Sequence, residues 1–264
     1  MSKSKIPTRM PVVFVGHGNP MNAIEDTTWS RAWKAWGARL PRPRAIVMAS
    51  AHWWTEGTLV TAMPHPETIH DFGGFPQELF AVRYPAPGSP EVASEVAALI
   101  TTARTTTEWG LDHGAWSVLV HLFPNADIPV VQVSLDVRAT ARDHVTLGEA
   151  LAPLRDQGIL IMASGNVTHN LRAFFQASSG SDRSWAERFD ATTRDVLHLR
   201  DHDQLSQLEK TPDGRMAHPT PDHWRPLLIA AGASRPDDTI SFPVEGLDGG
   251  VLSMTAVQWA PPIR

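Results

Sequence analysis

The stretch Val12-Val13-Phe14-Val15-Gly16-His17-Gly18-Asn19-Pro20 decides the fold class. Four β-branched or aromatic residues bounded by turn formers read as a short buried strand, and Gly-His-Gly-Asn-Pro cannot continue it. His17 is therefore expected at a strand end. In open α/β sheets, ligands bind in the crevice outside the carboxyl ends of the strands, so a histidine there is chemically privileged. The arrangement recurs: Ala45-Ile46-Val47-Met48-Ala49-Ser50-Ala51-His52 is a second apolar run ending in histidine, and Ile159-Leu160-Ile161-Met162-Ala163 leads into Ser164-Gly165-Asn166-Val167-Thr168-His169-Asn170.

Between these strands the chain alternates with helical patterns. Pro20 to Leu40 carries apolar residues at helical spacing, including Trp29, Trp33 and Trp36, and Pro41-Arg42-Pro43 ends it before the second strand, completing a βαβ-like unit. Leu59 to Met63 and Ile128 to Leu135 read as strands, and Ala139 to Gln157 as a helix. Ser89-Pro90-Glu91 is a helix start, with an N-cap serine, proline at the first position and an acid in the first turn, for a helix running to about Arg104. Trp185 to Leu199 is an amphipathic helix and Asp201 to Lys210 a shorter one. Thr220 and Pro221 read as N-cap and first turn of a helix through Leu227 to Ala231, with Pro226 awkward inside it. Val251 to Trp259 alternates as a closing strand. The expected fold is α/β, one domain over residues 1–264, with a central mostly parallel or mixed sheet flanked by helices and a metal site at strand ends.

Composition narrows the function. With 264 residues and 42% hydrophobic content the chain can bury a core without staples. A net charge of −5, spread without blocks, argues against nucleic acid or an anionic membrane as partner and for a small molecule. The polar stretch Met1 to Met10 has no apolar leader core, and no run approaches the roughly 18 apolar residues of a membrane span, so a soluble, cytoplasmic protein is expected. The absence of cysteine excludes disulfides, Fe–S clusters and thiolate zinc sites, leaving His, Asp and Glu to hold any metal.

Twelve histidines form the ligand pool. His65, His121, His144, His198, His202 and His218 lie in polar or helical surroundings and read as surface or packing residues. His17, His52, His113, His169 and His223 fall in sharp turns or at element ends, where a scaffold displays function. Strand ends of one sheet are neighbours in space, so a metal site of neutral imidazoles is the simplest use of them, suited to Zn²⁺ or Fe²⁺. The loop His70-Asp71-Phe72-Gly73-Gly74-Phe75-Pro76 reads either as a cover packed over something or as a surface turn capped by its aspartate.

The ordered set Gly16-His17-Gly18-Asn19-Pro20, Ser50-Ala51-His52-Trp53, His70 to Pro76, Asp112-His113-Gly114, Ser164 to Leu171 and Pro219-Thr220-Pro221-Asp222-His223 resembles the DOPA-dioxygenase-type extradiol ring-opening dioxygenases of the protocatechuate 4,5-dioxygenase superfamily. The resemblance spans nearly the whole chain. Asn19 after the first His-Gly and Trp54 after His52-Trp53 depart from the family pattern and bear on substrate choice. The resemblance implies that His17, His52 and His223 bind one divalent metal. It also implies that His169 lies beside the metal as acid/base, counted as a fourth ligand in some zinc-bound members, and that His113 lines the pocket.

It further implies that a catechol and O₂ react to give a ring-opened semialdehyde, with Fe(II) required for activity because zinc has no accessible redox chemistry. Zinc lies above iron in the affinity series and suits a three-histidine site, so purified protein is expected to carry it. His70, Phe72 and Phe75 are expected at the pocket mouth, the phenylalanines stacking on an aromatic ring and Gly73 and Gly74 letting the backbone approach it. Two other classes stand beside this one: a zinc hydrolase with His169 shuttling protons, and a binding protein that keeps the fold without turnover.

Overall fold

The computed structural model describes residues 9–176 and 182–262; the first eight residues of the polar stretch Met1 to Met10 lie outside them. Among the described residues the strands are β1 (Val12–Gly16), β2 (Ala45–Thr55), β3 (Leu59–Thr61), β4 (Arg104–Thr106), β5 (Val130–Asp136), β6 (Ile159–Gly165), β7 (Thr239–Val244), β8 (Leu247–Asp248), β9 (Leu252–Ser253) and β10 (Ala256–Ala260). The α-helices among them are α1 (Thr28–Gly37), α2 (Gln77–Phe80), α3 (Pro90–Leu99), α4 (His113–Leu122), α5 (Ala141–Leu151), α6 (Leu171–Phe175), α7 (Ser184–Leu199), α8 (His202–Gln207), α9 (Pro212–Ala217) and α10 (Arg225–Ala233).

Eight strands form one mixed sheet in the order β4-β3-β5-β2-β6-β1-β10-β7. Its centre is parallel: β6 pairs with β2 on one side and β1 on the other, and β5 extends the parallel set beyond β2. On the flanks, β10 is antiparallel to β1 and to β7, and β3 is antiparallel to β5. The central strands are largely apolar because both faces are covered. Val12, Phe14, Val47, Ile161 and Ala163 face the core under α5, α7 and α10, whereas Val13, Val15, Ile46, Met48, Leu160 and Met162 face the core under α1 and α4. This is the two-residue alternation of a pleated strand. The buried Arg155 guanidinium donates to Asp238 at 2.7 and 2.8 Å and to the Met10 and Ala233 carbonyls at 2.8 and 3.0 Å, so this buried ion pair is supported by further hydrogen bonds.

Several element boundaries differ from the sequence reading. The α3 start is as expected, with Ser89 Oγ accepting from the Val92 N–H at 3.1 Å, but the helix stops at Leu99 where Ile100 turns extended, and Arg104 begins β4 instead. Pro20 to Ala23 is a single 3₁₀ turn, and the tryptophan-bearing α1 starts afresh behind a Thr27–Ser30 capping box. Helix α10 begins at Arg225, not at Pro221, which places Pro226 in the first turn, where its missing N–H and fixed φ suit the helix. His113 is the first residue of α4, with Asp112 as N-cap, rather than part of a turn preceding it. The closing segment is two strands, β9 and β10, not one, and the edge strand β7 escaped the reading because its residues are largely half-exposed. Among the described residues no helix is long and apolar enough to cross a membrane.

Candidate metal centre

Five histidines meet at the carboxyl edge of the central strands, each delivered by a different local device. His17 is the residue after β1, and its N–H donates to the Gly165 carbonyl at 3.0 Å. His52 lies inside β2, not beyond its end: pairing with β6 stops at Ser50, and between Ala49 and Trp54 five residues of β2 advance against two of β5. This bulge frees Ala51 to Trp53 from the ladder and re-aims the His52 ring, a known use of bulges near functional sites. His169 follows β6, its N–H bonded to the Ala217 carbonyl at 2.9 Å. His223 precedes α10, its carbonyl accepting from the Asn166 N–H at 3.0 Å. A Cβ on Gly165 would stand 2.3 Å from that His223 carbonyl oxygen, so glycine is what lets the two segments touch. Gly114 plays the same part for His113: a Cβ there would meet Ser50 Oγ at 2.5 Å and the His52 ring at 2.8 Å.

Two sets of donors cluster tightly enough to hold a cation, His17 with His52 and His113, and His169 with Asp222 and His223. The expected ligands His17, His52 and His223 draw on both sets, and ring spacing discriminates between the combinations. With a metal–nitrogen distance of about 2.1 Å the ion sits roughly 3.2 Å from each ring centre, so tetrahedral ligation puts ring centres roughly 5.2 Å apart and a right angle roughly 4.5 Å. The centroid separations are 5.0 Å for His17–His52, 5.1 Å for His17–His223 and 5.1 Å for His52–His223. His113 stands 3.8 Å from His52 and 5.7 Å from His17, while His169 stacks on His223 at 3.4 Å with the planes 3° apart. Those closer pairs subtend angles too acute for two ligands of one ion. The near-equilateral triangle fits a single metal, with His113 and His169 against its sides.

Carboxylate partners set which nitrogen His113 and His223 offer, and His52 and His17 also have a polar partner at Nδ1. A carboxylate only accepts, so the His113 Nδ1–H donates to Asp71 Oδ2 at 2.9 Å, the His52 Nδ1 lies 3.4 Å from the same oxygen, and the His223 Nδ1–H donates to Asp222. His17 Nδ1 meets Ser164 Oγ at 2.8 Å. The Nε2 atoms of His52 and His17 then face each other at 3.1 Å, a spacing that suits two lone pairs sharing a cation. Burial, reinforced by repulsion from the neighbouring imidazoles, holds the protonated forms of His17 and His223 far below the usual histidine range. Burial likewise brings His52 to about 3, with His113 adding to it, and His169 to about 4, against the opposing pull of Asp222. These four rings are thus neutral and ready to ligate at neutral pH.

Phe72 from the His70 to Pro76 loop reaches this centre, with its ring edge-on to His113 at 5.4 Å and Phe75 edge-on to Phe72 at 5.2 Å. His70 packs beside them, donating from Nε2 to the Val82 carbonyl at 3.1 Å between the rings of Phe72 and Trp116. Gly73 and Gly74 face open space. Sequence reasoning passed over the partners of the histidines: Asp71, Ser164 and Asp222, and the buried Asp112. Asp112 accepts from Ser50 Oγ at 2.5 Å and from Gln132 Nε2 at 2.9 Å, and burial pushes its carboxyl up. The available signal was a repeated one, an aspartate adjacent to a histidine in His70-Asp71, Asp112-His113 and Asp222-His223.

Residues 11–247 match the family described as the catalytic LigB subunit of aromatic ring-opening dioxygenase. The chain belongs to this family. It is 46% identical over 258 residues to the 4,5-DOPA dioxygenase extradiol of Escherichia coli (strain K12), covering 95% of each chain. It is 37% identical over 249 residues to that of Beta vulgaris, covering 91% of this chain and 92% of the relative. An uncharacterized protein of Escherichia coli K12 solved by crystallography superposes with a TM-score of 0.82 at 42% identity, over 95% of this chain and 99% of that one. This LigB-family chain is an extradiol ring-cleavage dioxygenase, an oxidoreductase, and its histidine cluster occupies the strand-end crevice where the α/β fold places ligands.

Proposed function

We propose that this dioxygenase opens the ring of a catechol bearing a DOPA-like side chain, beside rather than between its hydroxyls. It consumes O₂ and releases a ring-opened semialdehyde. The observation that carries the metal assignment is the His17–His52–His223 triangle, with ring centres 5.0 to 5.1 Å apart and a separate Nδ1 partner on each ring. These three would hold one divalent ion, Fe(II) in the active enzyme, and the same donor set accepts Zn(II). When bound, ferrous iron supplies a redox-active centre at which an electron-rich catechol and O₂ exchange electrons that they do not exchange readily alone.

The remaining residues bind, orient and move protons. His169, neutral at physiological pH and stacked on His223, takes a proton as the catechol docks and returns one as the ring opens. His113, held by Asp71, presents Nε2 to the substrate oxygens from the opposite side. Phe72, backed by Phe75, offers an aromatic edge to the substrate ring and keeps water from the site. His17, His52 and His169 are carried by or follow strands of the sheet's parallel centre, which holds the metal ligands and the acid/base within reach of a bound catechol.

The test is to incubate iron-loaded protein with DOPA, caffeate and protocatechuate in air and weigh the products. An extradiol product equals the substrate plus both atoms of O₂. Unchanged catechols, with hydrolysis of activated esters by the zinc form, would instead favour a metallohydrolase.

A further inference from the structure

Asp71 sits on a surface loop, and its carboxylate is spent on two histidines from different elements. Its Oδ1 accepts from the His113 backbone N–H at 2.9 Å, satisfying one of the orphan donors at the start of α4. Its Oδ2 accepts from the His113 ring Nδ1–H at 2.9 Å and lies 3.4 Å from the His52 Nδ1. No other acceptor contacts the His52 Nδ1 among the described residues. The rings of His52 and His113 are 3.8 Å apart, so one oxygen stands over the Nδ1 edges of both, and both Nε2 edges are turned inward. A carboxylate has no proton to give at neutral pH, so its bond to His113 places N–H on that Nδ1, and its negative oxygen 3.4 Å from the His52 Nδ1 favours N–H there as well.

We propose that Asp71 is a positioning residue that locks His52 and His113 together in the Nδ1–H tautomer, leaving both Nε2 atoms bare toward the centre. The same bonds tie the Phe72 and Phe75 loop to the histidines, because Asp71 immediately precedes Phe72. The loop is anchored nearby by the Ile69 N–H on the Leu111 carbonyl at 2.7 Å and by Trp116 Nε1 on the Ile69 carbonyl at 2.7 Å. These bonds hold Ile69 independently of Asp71, so Asp71→Asn should leave the start of the loop in place. Asparagine at this position offers a single acceptor and a competing NH₂ group, so it cannot serve the α4 N–H and the two ring N–H groups at once.

The effect on metal binding rests on His52 being a ligand, as proposed above; the tautomer itself does not. The experiment is imidazole ¹H–¹⁵N correlation spectroscopy on histidine-labelled protein, without metal and with Zn²⁺, for wild type, Asp71→Asn and Asp71→Glu. His52→Gln and His113→Gln assign the signals, and competition with a chelator gives zinc affinity. Wild type should show Nδ1–H for both rings in each state. Asp71→Asn should move at least one ring toward Nε2–H and weaken zinc about 10- to 100-fold, the usual cost of losing a partner that orients a metal ligand. Asp71→Glu should restore the tautomer in part.

Wild-type rings carrying Nε2–H would overturn the proposal even if Asp71→Asn failed to fold. So would an Asp71→Asn protein with wild-type tautomers, whatever its affinity. Full zinc binding by a His52→Ala variant would instead defeat the ligand assignment and leave the tautomer result standing.

Discussion

Replacing Gly165 with alanine should damage the metal centre although residue 165 touches no substrate. A Cβ at this position would lie 2.3 Å from the His223 carbonyl oxygen and 3.1 Å from its carbonyl carbon. Ordinary contact begins at 3.4 Å, so the His223 segment must retreat by about 1 Å. Both atoms to be displaced are backbone, and the Asn166 N–H that holds the same carbonyl at 3.0 Å would be stretched with them. Gly165 also accepts from the His17 N–H, which couples a second candidate ligand to the same disturbance. A displacement of about 1 Å in a positioned group costs on the order of 100-fold in turnover, and overpacking of this kind costs about 1–3 kcal/mol of stability. The assay is zinc affinity by chelator competition with steady-state ring cleavage after iron loading, beside a thermal melt. Gly165→Ala should lose at least tenfold in affinity and about 100-fold in turnover while remaining folded. Wild-type affinity and turnover in a folded variant would refute the claim that the β6–His223 contact sets the ligand geometry.

His169→Gln keeps size and part of the hydrogen bonding, so metal content should stay near normal while turnover falls by roughly 10² to 10⁴; normal turnover would make His169 structural, and lost metal would make it a ligand. Phe72→Ala and Phe75→Ala should raise KM for catechols, and variants that lost only stability would show that the rings fill the core and nothing else. Burial holds His144 at about 4 and His218 at about 3, both below the unfolded value of about 6.5. The unfolded chain therefore binds more protons between these limits, and stability must fall as pH drops from about 6.5 toward 4, by about 1.4 kcal/mol per unit for each histidine. Thermal melts of metal-free His218→Gln against wild type at pH 7 and pH 5 should show a smaller acid loss in the variant, and equal losses would remove His218 as a source.

The parts of this architecture that were legible in the sequence are those set by local pattern. Val12 to Val15 and Ile159 to Ala163 are continuous apolar runs because both faces of β1 and β6 are covered, and a run of that kind ending at a glycine-histidine turn is readable without a partner. Where pairing across the sheet decides the geometry, the reading fell short. His52 looked like a strand end because its apolar run stops there, yet β2 continues to Thr55, and only the mismatch with β5 creates the bulge that aims the ring. Pro226 looked like an intruder in a helix begun at Pro221; the contact of Gly165 and Asn166 with His223 keeps that segment out of the helix until Trp224. The five histidines were found together because each reads, in its local sequence, as a turn or an element end. Their partners Asp71, Ser164 and Asp222 were not, because an aspartate or serine in a loop has many local uses, and the bond from Asp71 to His113 or from Ser164 to His17 exists only once distant strands are aligned.

The most direct test of the account is oxygen-electrode measurement on protein loaded anaerobically with Fe(II), set against the zinc-loaded protein and an iron-treated His17→Ala variant, with DOPA and related catechols supplied in known amount. The account predicts uptake of one O₂ for each catechol consumed by the iron form, and none above background in the other two. Catechol left intact by fully iron-occupied wild type, or equal uptake by the His17→Ala variant, would contradict it.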